Sequence, residues 1–159
     1  MDLSIVSKLG YDLSPGPLQV LTFHSATRVD GLVFTSGHVP ALGDVAIKGK
    51  VGDDVDLVTA QKAAEICAVN CLMAALAVAE ADEIERVAKL VGMVNVAAGF
   101  NDTSSVINGA SEFLNKVFEG QPSHARAAVG MVLPDDWAVE VEMVLALRSP
   151  MRPIAGQRH

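Results

Sequence analysis

An arginine flanked by very small side chains is the feature of this sequence most suited to chemistry. In a strand predicted over 125–133, alternate residues share a face, and one face carries His124, Arg126, Ala128, Gly130 and Val132. Ala128 and Gly130 leave space beside the guanidinium group of Arg126, which can bind a carboxylate through two parallel hydrogen bonds. The pattern predicts a pocket for a small anion.

Two carboxylates lie together on the next strand, predicted over 137–147. Its apolar face holds Val139, Val141, Met143, Leu145 and Leu147. Glu140 and Glu142 share the other face. One of them could act as a general base, or the two could neutralise Arg126. An ion-pair network at a surface or an interface explains the same pattern.

Three further polar positions admit both a functional and a structural interpretation. His38 lies between the Ser36-Gly37 turn and Pro40, where a catalytic histidine is possible but a solvated or interface histidine is commoner. Ser36 lacks the context of a nucleophile elbow and is predicted to form a turn hydrogen bond. Asn108 and Gly109 are poor helix formers inside a predicted helix, which indicates a close backbone approach or a side chain with a task.

The two cysteines, Cys67 and Cys71, are four residues apart on one face of a predicted helix. No histidine or cysteine accompanies them at metal-ligand spacing, and a disulfide across one helical turn would be strained. We predict two small buried hydrophobic residues and no metal site.

The elements that must position these residues follow the order β-β-α-β-α-β-β. They are predicted over 18–28, 32–36, 56–80, 87–97, 101–120, 125–133 and 137–147, with Asp30-Gly31 as a hairpin turn. This order favours an α+β layer with both helices on one face of the sheet. Residues 1–17 are predicted to be a loop-rich lead-in, 18–149 a single domain, and 150–159 a flexible tail. The glycine-rich stretch 37–54 is predicted to lack regular structure.

Composition limits the classes of function. Half of the 159 residues are hydrophobic but only 4% are aromatic, and the mean hydropathy is +0.35. Such surplus apolar surface favours a homo-oligomer. The net charge of −7 with scattered basic residues argues against a nucleic-acid-binding surface. Neither a signal peptide nor a membrane-spanning run is visible, so we expect a cytoplasmic protein.

Four motifs in order resemble the reactive-intermediate deaminase family, also called RidA/YjgF and formerly endoribonuclease L-PSP. They are Phe34-Thr35-Ser36-Gly37-His38-Val39-Pro40, Val106-Ile107-Asn108-Gly109-Ala110-Ser111, His124-Ala125-Arg126-Ala127-Ala128-Val129-Gly130, and Leu133-Pro134 leading into Val139-Glu140-Val141-Glu142. The match covers about residues 20–148 and is most similar to the longer subgroup of the family.

This resemblance implies a chorismate-mutase-like fold that assembles as a homotrimer with ligand clefts between subunits. It also implies hydrolysis of enamines and imines, such as 2-iminobutanoate, to 2-oxo acids and ammonia without a cofactor. Arg126 matches the arginine that holds the substrate carboxylate, and Glu140 matches the glutamate that positions or activates water. The predicted lining of the cleft comprises Phe23, Ser36, Gly37, Asn108, His124 and the backbone carbonyl of Ala128.

Phe23 stands where many active members have a tyrosine, so a hydroxyl donor is missing. This motivates an alternative, a trimer that binds small carboxylate metabolites without converting them. A third interpretation, an endoribonuclease, would need a basic groove, and the net charge of −7 argues against it.

Overall fold

Two long helices cover one face of a five-stranded mixed sheet in the computed structural model, which describes residues 1–17 and 22–148. The helices are α1 (Leu3–Lys8), α2 (Leu57–Leu76) and α3 (Thr103–Val117), and the strands are β1 (Ala26–Val29), β2 (Leu32–Thr35), β3 (Ala41–Leu42), β4 (Val45–Ala46), β5 (Ile84–Asn95), β6 (Ala125–Met131) and β7 (Val139–Leu147). A 3-10 turn, Pro134–Asp136, joins β6 to β7. The predicted α+β class and the order of the main elements are confirmed.

Two parts of the prediction were wrong. The lead-in 1–17 contains α1, which Asp2 caps by accepting a hydrogen bond from the Ser4 amide and which buries Val6. The stretch 37–54 contains a two-stranded hairpin, β3 and β4. The predicted tail 150–159 and residues 18–21 and 149 lie outside the described residues.

The strand order is β1-β2-β7-β5-β6, so β5 separates the two strands that carry the candidate residues. β6 runs parallel to β5, with α3 as the connection, and β7 runs antiparallel to β5. The Asp30-Gly31 turn joins β1 to β2, with Val29 opposite Leu32, as the sequence predicted.

The core lies between the sheet and the helices. β7 contributes its predicted apolar face, and β5 contributes Ile84, Val87, Leu90 and Val94. Cys67 and Cys71 are free and buried beneath β7, as predicted. Within residues 1–17 and 22–148, no helix has the length and apolar character needed to cross a membrane.

Helix α3 packs unusually close to α2 because a glycine lies at their contact. A Cβ atom on Gly109 would overlap the backbone carbonyl of Gln61. The Gln61 side chain donates to the Ser105 carbonyl at 2.9 Å and joins the helices at the same level. The close approach fixes α3 above β5 and β6, which sets the position of every polar side chain that α3 directs at Arg126.

Candidate functional site

Arg126 points toward α3 and is held there by neutral side chains. Its Nη1 donates to Asn108 Oδ1 at 2.8 Å and to Ser111 Oγ at 3.2 Å, while Nη2 donates to Ser104 Oγ at 3.4 Å. Residues 104, 108 and 111 are four and three apart, so they line one face of α3. Asn108 therefore has the task that its position in a helix indicated.

The positive charge of Arg126 has no counter-ion in the described part of the chain. The ion pairs found there are Arg28–Glu83 and Lys62–Glu65. Arg126 is only half exposed, and a partly desolvated cation without a negative partner is a favourable place for an anion. The Asn108 and serine oxygens fix the direction of the guanidinium group and leave its charge uncompensated.

His124 supports this arrangement from the side. Its Nε2 lies 3.0 Å from Ser111 Oγ, the same hydroxyl oxygen that accepts from Arg126. Burial and the positive charge of Arg126 lower the pKa of His124 below its ordinary value. A neutral imidazole at neutral pH orients Ser111 without adding a second positive charge.

The space predicted beside Arg126 is partly filled. A Cβ on Gly130 would lie 3.0 Å from a methyl group of Val96. Thr103 Oγ1 donates to the Ala128 carbonyl at 3.2 Å, so that carbonyl already has one partner. The open part of the site therefore lies around the guanidinium group and the first turns of α3.

Sequence reasoning missed Ser104 and Ser111 as partners of Arg126. A usable signal was present, since their spacing from Asn108 places all three on one helix face. Serine near a helix start, as at position 104, commonly caps the backbone, so this position alone does not indicate a partner for Arg126.

Glu140 lies on the opposite face of the sheet from Arg126. Val139 and Val141 on either side of it are buried against the helices, so the Glu140 side chain points to the open face. It packs on Gly37, where a Cβ atom would overlap its carboxylate. Burial, and secondarily the charge of Glu142, raise the pKa of Glu140.

One chain therefore does not bring Arg126 and Glu140 together. The sequence allowed the two carboxylates to neutralise Arg126, but β5 lies between β6 and β7. On β5, Met93 pairs with Glu140, whereas Leu90 pairs with Arg126. The two charged groups therefore lie on opposite faces of the sheet and are offset along the strand direction. Of the two carboxylates, Glu142 is the exposed one and Glu140 is half-buried.

The segment that carries Phe23 is held by Ser36 and His38. Ser36 Oγ donates to the His24 carbonyl at 2.7 Å, as predicted for a turn residue, and His38 Nε2 lies 3.3 Å from the Ser25 carbonyl. His38 is buried rather than solvated, and that burial lowers its pKa. Phe23 is 55% exposed, so its ring is available to a ligand or to another subunit.

Gly37→Ala is expected to disturb Glu140 more than it disturbs the fold. The atoms nearest to the added methyl group all belong to the Glu140 side chain, which is flexible and can move away. We expect the free energy of unfolding to change by less than about 1 kcal/mol. The pKa of Glu140 should fall toward its ordinary value as the carboxylate moves into solvent. Urea unfolding and a carbon-detected NMR titration of the carboxylates check the two effects, and an unchanged Glu140 titration would contradict the contact.

No protein-family model matches the chain. A curated relative, Protein TCP17 from Trypanosoma cruzi, is 36% identical over 151 residues, which cover 91% of this chain and 92% of the relative. A solved structure of Atu1372 from Agrobacterium tumefaciens, described as of unknown function, is 37% identical, with a TM-score of 0.81 and 91% coverage of both chains.

Two further solved structures connect this fold to a named family. A Shewanella oneidensis protein with the provisional name endoribonuclease has a TM-score of 0.83 at 22% identity, covering 91% of this chain and 98% of its own. The YjgF gene product of Escherichia coli has a TM-score of 0.53 at 19% identity, covering 84% of this chain and 94% of its own. The chain therefore has the fold of YjgF/RidA proteins. This is the chorismate-mutase-like fold.

The shared fold leaves the activity open, because solved structures with this fold carry different names. They include an endoribonuclease and a translation initiation inhibitor, both provisional. The reaction of this protein therefore depends on its own residues.

Proposed function

We propose that this chain is a YjgF/RidA protein and that it hydrolyses small imines or enamines that carry a carboxylate, without a cofactor, in clefts between the subunits of a homotrimer. Water adds to the carbon of the C=N bond and gives a carbinolamine. The carbinolamine then expels ammonia and leaves a 2-oxo acid. No oxidant or reductant is required.

The fixed and uncompensated positive charge of Arg126 is the observation that supports the proposal most. Three neutral groups of α3 hold its guanidinium group in a fixed direction, and in the described residues no carboxylate neutralises it. A substrate carboxylate supplies the missing charge and fixes the adjacent C=N bond, which lowers the entropic cost of the reaction.

A second subunit is required because Glu140 is on the wrong face to reach Arg126 in the same chain. The open face around Glu140 carries exposed apolar side chains, with Leu32 and Phe34 exposed by 38% and 39%, and Val129 and Met131 by 41% and 39%. Exposed apolar area of this kind favours contact with another chain. We propose that a copy docked on this face brings one subunit's Glu140 to the other's Arg126, which lies on the edge strand β6.

Glu140 is the proposed proton handler. Because its pKa is raised, its ionised form is a stronger base than an ordinary carboxylate, and its protonated form can return a proton to the departing amine. The free thiols of Cys67 and Cys71 are compatible with a reducing compartment, and we propose the cytoplasm as the location.

The decisive test generates 2-iminobutanoate with an amino-acid oxidase and traps it with semicarbazide. Wild-type protein should lower the amount of trapped imine in proportion to its concentration, and Glu140→Gln should lose most of this effect. Glu119→Gln, a charge change just after the end of α3, is the matched control. An equal amount of trapped imine with and without wild-type protein would exclude deamination of this substrate.

The rate should depend on the ionisation of Glu140. It is expected to fall as the pH drops through the raised pKa, because protonation removes the base. Glu142→Gln removes a negative charge that contributes to the shift, so the acidic limb of the pH–rate profile should move to lower pH. Profiles of kcat/KM for wild type and Glu142→Gln test this. A limb that moves to higher pH would contradict the assignment of Glu140 as the base.

Phe23 favours a second function, binding of small carboxylates without turnover. Its ring has no hydroxyl to donate to a reacting nitrogen. Binding of a carboxylate by the carboxylate clamp, which is Arg126 with Asn108 and Ser111, does not depend on that ring. In that case 2-oxobutanoate and benzoate should raise the melting temperature, with no ammonia released from any imine tested. Release of ammonia at a rate proportional to protein concentration would exclude this alternative.

A further inference from the structure

A cavity lies on the side of α3 that faces away from Arg126. It is a groove between α2 and α3 with a volume of about 270 Å³ and with Leu9 among its lining residues. Each helix contributes residues spaced three or four apart, Val58, Gln61, Lys62 and Glu65 from α2, and Gly109, Glu112, Phe113 and Lys116 from α3. Its volume suits one small metabolite rather than a drug-sized ligand.

The lining of the groove combines both charges with apolar surface. Lys62 and Lys116 balance Glu65 and Glu112, so the net charge of the lining is zero. Apolar contact area is also present, since Val58 is 74% exposed at the groove. A lone anion would be repelled by the two glutamates here, and a lone cation by the two lysines. A molecule that carries both charges can place each of them next to a residue of opposite charge.

One charged pair is fixed in place. Tyr11 donates to Glu65 Oε1 at 2.6 Å, and Lys62 Nζ donates to the Tyr11 hydroxyl at 2.5 Å and to the same Glu65 oxygen at 3.3 Å. Burial and Glu65 raise the pKa of Tyr11, so the phenol remains a donor. Because these contacts use Oε1, the Oε2 oxygen of Glu65 has no hydrogen bond within the described part of the chain.

The other two charged residues of the lining, Glu112 and Lys116, are exposed and form no ion pair with each other. Neither Glu112 nor Lys116 has an oppositely charged group within 4.0 Å among residues 1–17 and 22–148. Both belong to α3, whose position is fixed by the contact of Gly109 with Gln61. The groove therefore presents a free cation and free carboxylate oxygens around an apolar surface.

We propose that this groove binds a zwitterionic α-amino acid with an aliphatic side chain. Lys116 holds the carboxylate, Glu112 and Glu65 Oε2 hold the ammonium group, and the side chain packs on Val58. This site is separate from the carboxylate clamp, because Asn108 and Ser111 face Arg126 while the adjacent Gly109 and Glu112 face the groove.

Isothermal titration calorimetry with L-leucine as the probe tests the site. Two analogues separate the contributions, since 4-methylpentanoate lacks the ammonium group and 3-methylbutylamine lacks the carboxylate. Each analogue should bind at least about tenfold more weakly than leucine, because a charge-assisted contact is lost. Lys116→Met and Glu112→Gln should each weaken leucine binding by a similar factor.

Two control variants decide which site is occupied. Arg126→Ala and Glu119→Gln should leave leucine binding unchanged. Circular dichroism should show the same melting temperature for Lys116→Met and Glu112→Gln as for wild type. Loss of binding in Arg126→Ala would mean that leucine occupies the clamp, and would overturn the proposal. Unchanged binding in both Lys116→Met and Glu112→Gln, equal binding of an analogue, or no heat at millimolar leucine would also overturn it.

Discussion

Arg126→Ala is expected to lower kcat/KM for imine hydrolysis by about 10²–10³-fold and to remove detectable binding of 2-oxobutanoate. The guanidinium group would make two charge-assisted hydrogen bonds to the substrate carboxylate, each worth about 1.5–3 kcal/mol. Asn108 and the serines cannot substitute for it, because they carry no charge. The trapping assay measures the first effect and calorimetry measures the second.

The fold should survive this substitution, since Arg126 is half exposed and has no ion pair in the described residues. We expect a change in the free energy of unfolding of less than about 1 kcal/mol. Arg28→Ala is a matched control, because it removes an exposed arginine paired with Glu83 at 2.8 Å. Arg126→Lys keeps the charge but loses the bidentate geometry, so intermediate activity is expected. Unchanged binding of 2-oxobutanoate by Arg126→Ala would contradict both proposed functions, imine hydrolysis and carboxylate binding without turnover.

The sequence correctly predicted the features that depend on the alternation of side chains along one strand. Arg126, Ala128 and Gly130 do share a face of β6, which faces α3. Glu140 and Glu142 do lie opposite the buried face of β7. These predictions succeeded because the period of a strand is a local property of the backbone.

Strand order could not be predicted in the same way. The sequence places β6 and β7 next to each other along the chain, but β5 pairs with both and keeps them apart. Pairing depends on which buried faces meet beneath α2 and α3, and no single segment encodes that. The separation of Arg126 from Glu140 was therefore visible only in the structure.

The missed elements depend on contacts distant in sequence. β3 and β4 have two residues each, too few for a periodic signal, and the buried Asn70 of α2 fixes this region by donating to the Val39 and Ala41 carbonyls at 2.9 Å. Helix α1 has only six residues, which is too short to be stable alone. It forms because Val6 packs into the core.

Gly109→Ala tests the contact on which the positions of both α3 faces depend. In an exposed helix this substitution stabilises by about 1 kcal/mol, because alanine is the better helix former. Here the methyl group would overlap the backbone carbonyl of Gln61, which cannot rotate away as a side chain can. We expect a destabilisation of about 1–3 kcal/mol or more, measured by urea unfolding. If α3 moves away from α2 to relieve the overlap, Asn108 and Ser111 move with it, and the affinity for 2-oxobutanoate should fall although neither residue has changed.

Gly31→Ala is the matched control, since a Cβ there would have no atom within 4 Å. It should leave both stability and affinity nearly unchanged. Stabilisation of the protein by Gly109→Ala would show that the helices can separate without cost, and the rigid placement of Arg126 by α3 would then be wrong. A loss of stability with full affinity would instead show that the Asn108–Arg126 contact follows the helix as it moves. Only a joint loss supports the view that one glycine contact positions the clamp.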